Sequence, residues 1–420
     1  MRNANPSSRR SRTLLGATAA LVVLLGTTAC GADSSGDSGK DTSKAAVEAA
    51  PEGTFPGTKA SGEPVKVGLI NPEDGPAISQ PEGREAAEAA VKYANANFGG
   101  LGGRPIELVV CKAKEDPASN GACANKMVQE KVVGVVVANT GNGEAMAPVI
   151  TGAGIAYTAY NGTSGAELTG KDSYLWTGGV PAVIANFAKS AAAKGVKDFS
   201  IFATDNASVV GTLTKLGEPI FKAAGIKLKI VPIPLGTPDS SPQVSAGLKA
   251  DPSAVGIVGD GNMCASTLKA LDTLGNKAPR YIIQPCLEQG TVKAAGAAAY
   301  DNAFVFTSSD GESKDDKEAQ IYRAVMAKYA PGIDTAGAAV SGYQSMLGFV
   351  RAAAGVQGDV TAASVVKAIS SAKDVAVPVG HGATMTCDGK QFPGLAAICN
   401  ASSLTGTIKD GKVASFELVK

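Results

Sequence analysis

The chain has 420 residues, 44% hydrophobic and 18% charged, with 51 glycines, 22 prolines and a single tryptophan, the composition of a globular protein and not of a disordered or collagenous one. Its formal charge is +1, yet Arg2, Arg9, Arg10 and Arg12 stand in the first 30 residues without an acid, and the remainder carries 35 basic against 38 acidic residues, which leaves no electrostatic footprint for nucleic acid. The single histidine, His381 in Val-Gly-His-Gly-Ala, excludes zinc sites built on several histidines, leaves one candidate base for a Ser-His-Asp triad, and reads as a turn residue.

The first element is an export signal. The apolar run Leu14–Leu25 falls short of the roughly 20 residues a spanning helix needs. With its basic flank and the small residues Gly26-Thr27-Thr28-Ala29 before Cys30, it makes residues 1–29 a secretory signal peptide. Cys30 directly after small residues resembles a bacterial lipobox, which implies cleavage before Cys30 and a lipid on its sulfur. Residues 31–63 are rich in Gly, Ser, Asp, Lys, Ala and Pro without apolar periodicity, so Cys30 and its followers to 63 are expected to form a flexible tether. Six cysteines remain: Cys111, Cys123, Cys264, Cys286, Cys387 and Cys399. An even count in an exported chain implies disulfides, and sequential pairing is the simplest of 15 connectivities. No C-x-x-C pair exists to support a four-cysteine metal site, and neither metal nor cofactor is expected.

From Val65 onward, short apolar strands alternate with amphipathic helices, the pattern of an α/β fold with parallel sheets. The first series predicts strands at 65–70, 106–111, 132–137 and 155–158, with helices at 82–97, 118–130 and 144–153. The second predicts helix 181–194, strand 199–203, helix 209–224, strand 227–231, helix 243–250, strand 254–258, helix 264–274 and strands at 281–284 and 302–306. Helices at 316–329, 336–354 and 362–371 follow, and about 45 residues of strands and turns close the chain. Two consecutive series are too many strands for one core and imply two lobes. Ligands of such folds bind outside the carboxyl ends of the parallel strands.

Several segments carry a family resemblance: Val67-Gly68-Leu69-Ile70 with Asp74-Gly75-Pro76, then Ala90–Asn97 with Gly99-Gly100-Leu101-Gly102-Gly103-Arg104-Pro105-Ile106-Glu107-Leu108, Cys111–Pro117, and Gly154-Ile155-Ala156-Tyr157. In this order and spacing they resemble the type I periplasmic binding proteins, specifically the leucine/isoleucine/valine-binding branch of ABC-transporter substrate-binding proteins. The resemblance implies two Rossmann-like lobes, 64–178 with 308–374 and 179–307 with 375–420, joined by a three-crossover hinge. It implies an extracytoplasmic, membrane-anchored, monomeric lipoprotein that binds a branched-chain amino acid or a related amide or organic acid and works with ABC permease subunits.

Carried over position by position, the resemblance gives Gln80 after the first strand. It gives Asn139, Thr140, Gly141 and Asn142 after the third, where free N–H groups favour an anion, and Asn161, Gly162 and Thr163 after the fourth. The second lobe contributes Asp205, Ser208, Asp260, Asn262 and Glu288, and Tyr343 stands where the family has an aromatic near the cleft. Ser208, Asp260 and Asn262 replace family aromatics, so the second wall is expected to be polar. Trp176 is expected at the first crossover. A ligand-sensing receptor of the same fold is the alternative. A hydrolase is disfavoured because Asp205 and Ser208 lack an orienting partner.

Overall fold

The computed structural model describes residues 44–76, 78–409 and 411–419, with the backbone alone at Ala207 and Ser208. The expected signal peptide and the lipidated Cys30 lie outside the described residues. A short helix α1 (residues 44–48) comes first. The first series then runs β1 (Val65–Pro72), α2 (Pro81–Asn97), β2 (Ile106–Ala113), α3 (Pro117–Gln129), β3 (Gly134–Val137), α4 (Ala147–Gly152), β4 (Ala156–Ala159), α5 (Gly165–Thr169) and β5 (Ser173–Leu175). The second runs α6 (Gly179–Ala193), β6 (Asp198–Thr204), α7 (Ala207–Thr212), α8 (Glu218–Ala223), β7 (Lys227–Ile233), α9 (Ser241–Leu248), β8 (Ala254–Val258), α10 (Gly261–Thr273), β9 (Arg280–Ile283), α11 (Gln289–Ala295) and β10 (Ala303–Thr307). The tail comprises α12 (Lys317–Tyr329), α13 (Ala338–Ala352), α14 (Ala362–Ser370), β11 (Val375–Ala376), β12 (Thr384–Met385), β13 (Ser403–Lys409) and β14 (Lys412–Val419).

The α/β reading holds. The first sheet is parallel in the order β2-β1-β3-β4-β5. The second repeats that order as β7-β6-β8-β9-β10 and adds β13 and β14 antiparallel beyond β10. In each sheet the order reverses beside the first strand, the switch point at which such folds open a crevice.

Proline explains two departures from the expected helices. The segment 144–153 is a 3-10 turn at Gly143–Ala145 followed by α4, because Pro148 lacks an N–H and fits only a first helical turn. The segment 209–224 is α7, a π-helical stretch at Leu213–Gly217, and α8, where Pro219 cannot donate back along the helix. The five-residue α5, the three-residue β5 and the seven-residue α11 were too short to register as periodicity.

The chain passes between the sheets three times: at 176–178, at 308–316 and at 401–402. Trp176 sits at the first passage, fully buried, its indole N–H donating to the Ser345 carbonyl at 3.0 Å. The third passage falls later than expected. Val377, Val379, Ala383 and Met385 join the core of the first lobe with Tyr343, Val365 and Ile369, and Phe392, Leu395 and Ile398 pack with Leu175 and Tyr157. Residues 375–400 therefore belong with the first sheet, since their apolar side chains find their burial there.

The tether also ends earlier than expected. The Thr54 carbonyl accepts from the Tyr93 hydroxyl at 2.8 Å, the Phe55 ring lies edge-on to Tyr93, the Lys328 ammonium sits 4.0 Å over Phe55, and Thr58 bridges to Phe98. The Phe55 ring and backbone bonds of Thr58 and Ala60 to the Asn97 and Asn95 carbonyls hold the segment against α2. The cysteines pair sequentially: Cys111–Cys123, Cys264–Cys286 and Cys387–Cys399.

Candidate functional site

Because β1–β5 and β6–β10 are parallel within their sheets, the loops that follow these strands collect at one edge of each, and a cavity of about 680 Å³ opens there, lined from both lobes. That volume is in the range of small-molecule sites. The first lobe contributes Gln80 at the start of α2, Asn139 after β3, Tyr160 and Asn161 after β4, and Ser341 on α13. The Asn139 side-chain N–H donates to Gln80 Oε1 at 3.1 Å. Burial pushes the Tyr160 hydroxyl above its ordinary pKa, while hydrogen bonds with Ser341 and Asn161 oppose the shift. Gly179, at φ +50°, admits Asn161 at the first passage, since a Cβ there would lie 2.9 Å from the Asn161 Cβ.

The second lobe's wall is largely apolar, with Gln284, Glu288, Thr307 and Lys412 as its polar members. Val180, Val183 and Ile184 recur at helical spacing on α6, and Val258, Ile283 and Phe306 come from the ends of β8, β9 and β10. Of the expected Asp205, Asp260, Asn262 and Glu288, only Glu288 lines this cavity. Asp260 caps α10, accepting from the Asn262 and Met263 N–H groups, and with Asn262 lines a separate hollow of about 90 Å³ beside Leu235 and Thr237. Asp205 is exposed, and its N–H donates to the Ile233 carbonyl. Ser208 stands in the first turn of α7, and its side chain lies outside the described ones.

At the second passage Asp310 lines the cavity although its side chain is only 4% exposed. Its Oδ1 accepts from the Glu312 and Ser313 N–H groups, and its Oδ2 lies 3.3 Å from His381 Nδ1. His381 sits in a turn, as its flanking glycines suggested, and Val379, two residues before it, holds φ +56° while its carbonyl accepts the Asp310 N–H.

The anion cradle expected at 139–142 is already filled. Glu115 accepts from the Thr140 hydroxyl at 3.1 Å, from the Gly141 N–H and from the Asn142 side-chain amide at 3.2 Å. The loop after β4 is satisfied in the same way. The fully buried Glu167 carboxylate accepts from the Thr163 N–H at 3.1 Å, the Ser164 N–H at 3.0 Å, the Ser164 hydroxyl at 2.9 Å and the Tyr157 hydroxyl at 2.6 Å. Burial, and then Glu167, push the Tyr157 pKa well above its usual value. Gly162 makes room for this carboxylate: a Cβ there would stand 2.9 Å from the Glu167 Cβ, and one on Gly143 would overlap the carboxyl group itself.

Of the expected contacts, the structure thus gathers Gln80, Asn139, Asn161 and Glu288 around one cavity. Tyr343 is not among them. It is fully buried against Tyr322 at 4.9 Å between ring centres, because α13 turns that face toward the core. Sequence reasoning missed Tyr160, whose signal was adjacency to Asn161, and Asp310, whose signal was its place after the last parallel strand.

Known proteins fit this geometry. The model of the Periplasmic binding protein family matches residues 64–398. No curated protein sequence matches the chain. Among solved structures, the branched-chain amino acid transporter substrate binding protein LivJ of Streptococcus pneumoniae, in complex with isoleucine, is similar at 20% identity, with 85% of this chain and 99% of that one covered and a TM-score of 0.64. The leucine binding protein LivK of Thermotoga maritima is similar at 19% identity, with 84% and 98% covered and a TM-score of 0.65. A fatty acid ABC transporter substrate-binding protein of Thermomonospora curvata is similar at 17% identity, with 88% and 95% covered and a TM-score of 0.64.

Proposed function

The chain belongs to the periplasmic binding protein family, and from that premise we propose that it is the extracytoplasmic substrate-binding lipoprotein of an ABC importer, which captures a small amphipathic solute between two lobes and presents it to permease subunits in the membrane. The observation that supports this reading most is the cavity at the carboxyl ends of both sheets, with amide and hydroxyl groups on one side and an apolar wall on the other. That wall suits a branched-chain or longer hydrocarbon portion of the ligand. Three chain passages between the sheets form the hinge. An open form is in equilibrium with a closed one, and a ligand that touches both walls favours closure by its differential affinity for the two. The protein acts as a monomer and does no chemistry on its cargo.

Export through residues 1–29 and a lipid on Cys30 belong to the same proposal. Replacement of Cys30 is expected to release the protein from membranes, and retention would refute the anchor. The binding reading is tested by thermal shift across amino acids, amides, amines, organic and fatty acids, sugars and peptides. At least one class should raise the melting temperature by mass action, and Val183→Asp, which puts a charge on the apolar wall, should remove that shift. A panel without any response would contradict the reading.

A further inference from the structure

We infer that the ligand carries an un-ionised polar head that both donates and accepts hydrogen bonds, of the carboxamide kind, on an apolar body, and that a free carboxylate or ammonium head is turned away. The inference rests on the binding reading above and specifies the ligand class for the same cavity.

Two observations carry it independently. The first is a pair of amides at the switch point of the first sheet. Gln80 follows β1 and Asn139 follows β3, two strands that lie side by side, so their side chains meet where the strand order reverses. Both line the cavity. A side-chain amide has one acceptor oxygen and one donor nitrogen. The bond from Asn139 Nδ2 to Gln80 Oε1, at 3.1 Å, engages the nitrogen of one and the oxygen of the other. Asn139 Oδ1 and Gln80 Nε2 remain, and neither has a partner among the described residues. Turning both amides over exchanges their roles and leaves the same remainder, one acceptor beside one donor. That remainder is complementary to a head with a donor and an acceptor of its own. A carboxylate has no hydrogen to offer the free oxygen, and an ammonium has no lone pair to offer the free nitrogen.

The second observation is where the charges of the lining stand. Its carboxylates and ammonium belong to Glu288, Asp310, Glu312 and Lys412. Glu288, Glu312 and Lys412 are exposed, and water screens what they could give to an ion inside. Asp310 is buried, but its Oδ1 already accepts from the Glu312 and Ser313 N–H groups and its Oδ2 lies 3.3 Å from His381 Nδ1. Tyr160, whose hydroxyl burial holds above its ordinary pKa, is neutral and shares hydrogen bonds with Ser341 and Asn161 on the first lobe's wall. An ionic head would therefore leave water without a counter-charge to receive it, a penalty that a neutral head does not carry. The body of such a ligand has Val180, Val183 and Phe306 to lie on across the cavity.

The test uses the whole protein and four probes with one acyl or alkyl length: hexanamide, N,N-dimethylhexanamide, hexanoate and hexylammonium, with binding read by calorimetry at neutral pH and constant ionic strength. Hexanamide is expected to bind most tightly. Each of the others should bind at least about tenfold more weakly, because each leaves a buried partner unmet or brings an unpaired charge. Asn139→Asp, which keeps the shape of the amide pair and adds a charge, should raise hexylammonium by about tenfold or more relative to hexanamide. Should Asn139→Asp fail to fold, Gln80→Glu reads the same exchange from the other member of the pair. Either ionic probe, or the dimethylated amide, binding as tightly as hexanamide overturns the inference and leaves the two-lobed binding reading in place. An unchanged ammonium-to-amide ratio in the folded variant overturns it as well. Binding of none of the four overturns the inference, and only silence across the wider panel removes the reading beneath it.

Discussion

In the first lobe, the loops after β3 and β4 are crowded with polar side chains whose hydrogen bonds close on internal carboxylates. In the second, the ends of β8, β9 and β10 bring Val258, Ile283 and Phe306 to the same cavity. Both sheets follow one strand order, so topology alone does not decide which wall is polar. What decides it is the residue at each strand end and the partner that residue already has. A polar residue in the right loop is a ligand contact only if its hydrogen-bonding groups are free, and the Thr140 hydroxyl and the Thr163 N–H show how such groups can be engaged from within.

The comparison breaks most visibly at Glu167. Truncation by Glu167→Ala leaves a tyrosine hydroxyl and two backbone N–H groups without their acceptor in a dry site, and should cost about 3–5 kcal/mol in urea unfolding. A cost near zero would mean that the carboxylate is not the centre of that loop. In the second lobe, the Cys264→Ser/Cys286→Ser pair removes a bridge across 22 residues and should cost about 3 kcal/mol. The same pair should leave the first lobe's proteolytic pattern unchanged. Gly143→Ala pushes a methyl group into the Glu167 carboxyl and should cost about 1–3 kcal/mol, with partial recovery when Glu167 is shortened to Asp.

The smallest expected effect is on pH dependence. Burial pushes the Glu73 carboxyl up, but its hydrogen bonds with Arg84, Lys112 and Asn71 outweigh burial and hold it below the usual carboxylate value. The unfolded chain therefore takes up this proton first as the pH falls. The contribution is full above the ordinary carboxylate pKa and is lost as the pH drops through the lower folded value. Glu73→Gln should flatten that part of the acid limb of a stability profile, and an unaltered slope would show that Arg84 is served equally well by Glu88.

Much of the fold was legible because its signals are local. Runs such as Val65–Ile70 and the alanine face of α2 announce strand and helix by period alone, and the sequential cysteine pairs close short loops. The site was legible only where position on the strand edge settles the matter, as for Gln80, Asn139 and Asn161. It was not legible where a partner distant in sequence takes the group. Glu115 lies 25 residues before Thr140, and no period or motif links them. Tyr343 shows the other limit, since which face of α13 meets the core depends on the close approach of Gly342 to Gly83 in α2, a tertiary fact. Phe55 shows a third, because composition averages over the few residues that dock its segment.

Small-angle X-ray scattering with and without a compound that raises the melting temperature tests the central claim most directly. The account predicts a smaller radius of gyration in the bound state, as two walls lined by Asn161 and Val183 draw together on the ligand. Scattering curves that superimpose with and without every such compound would contradict it.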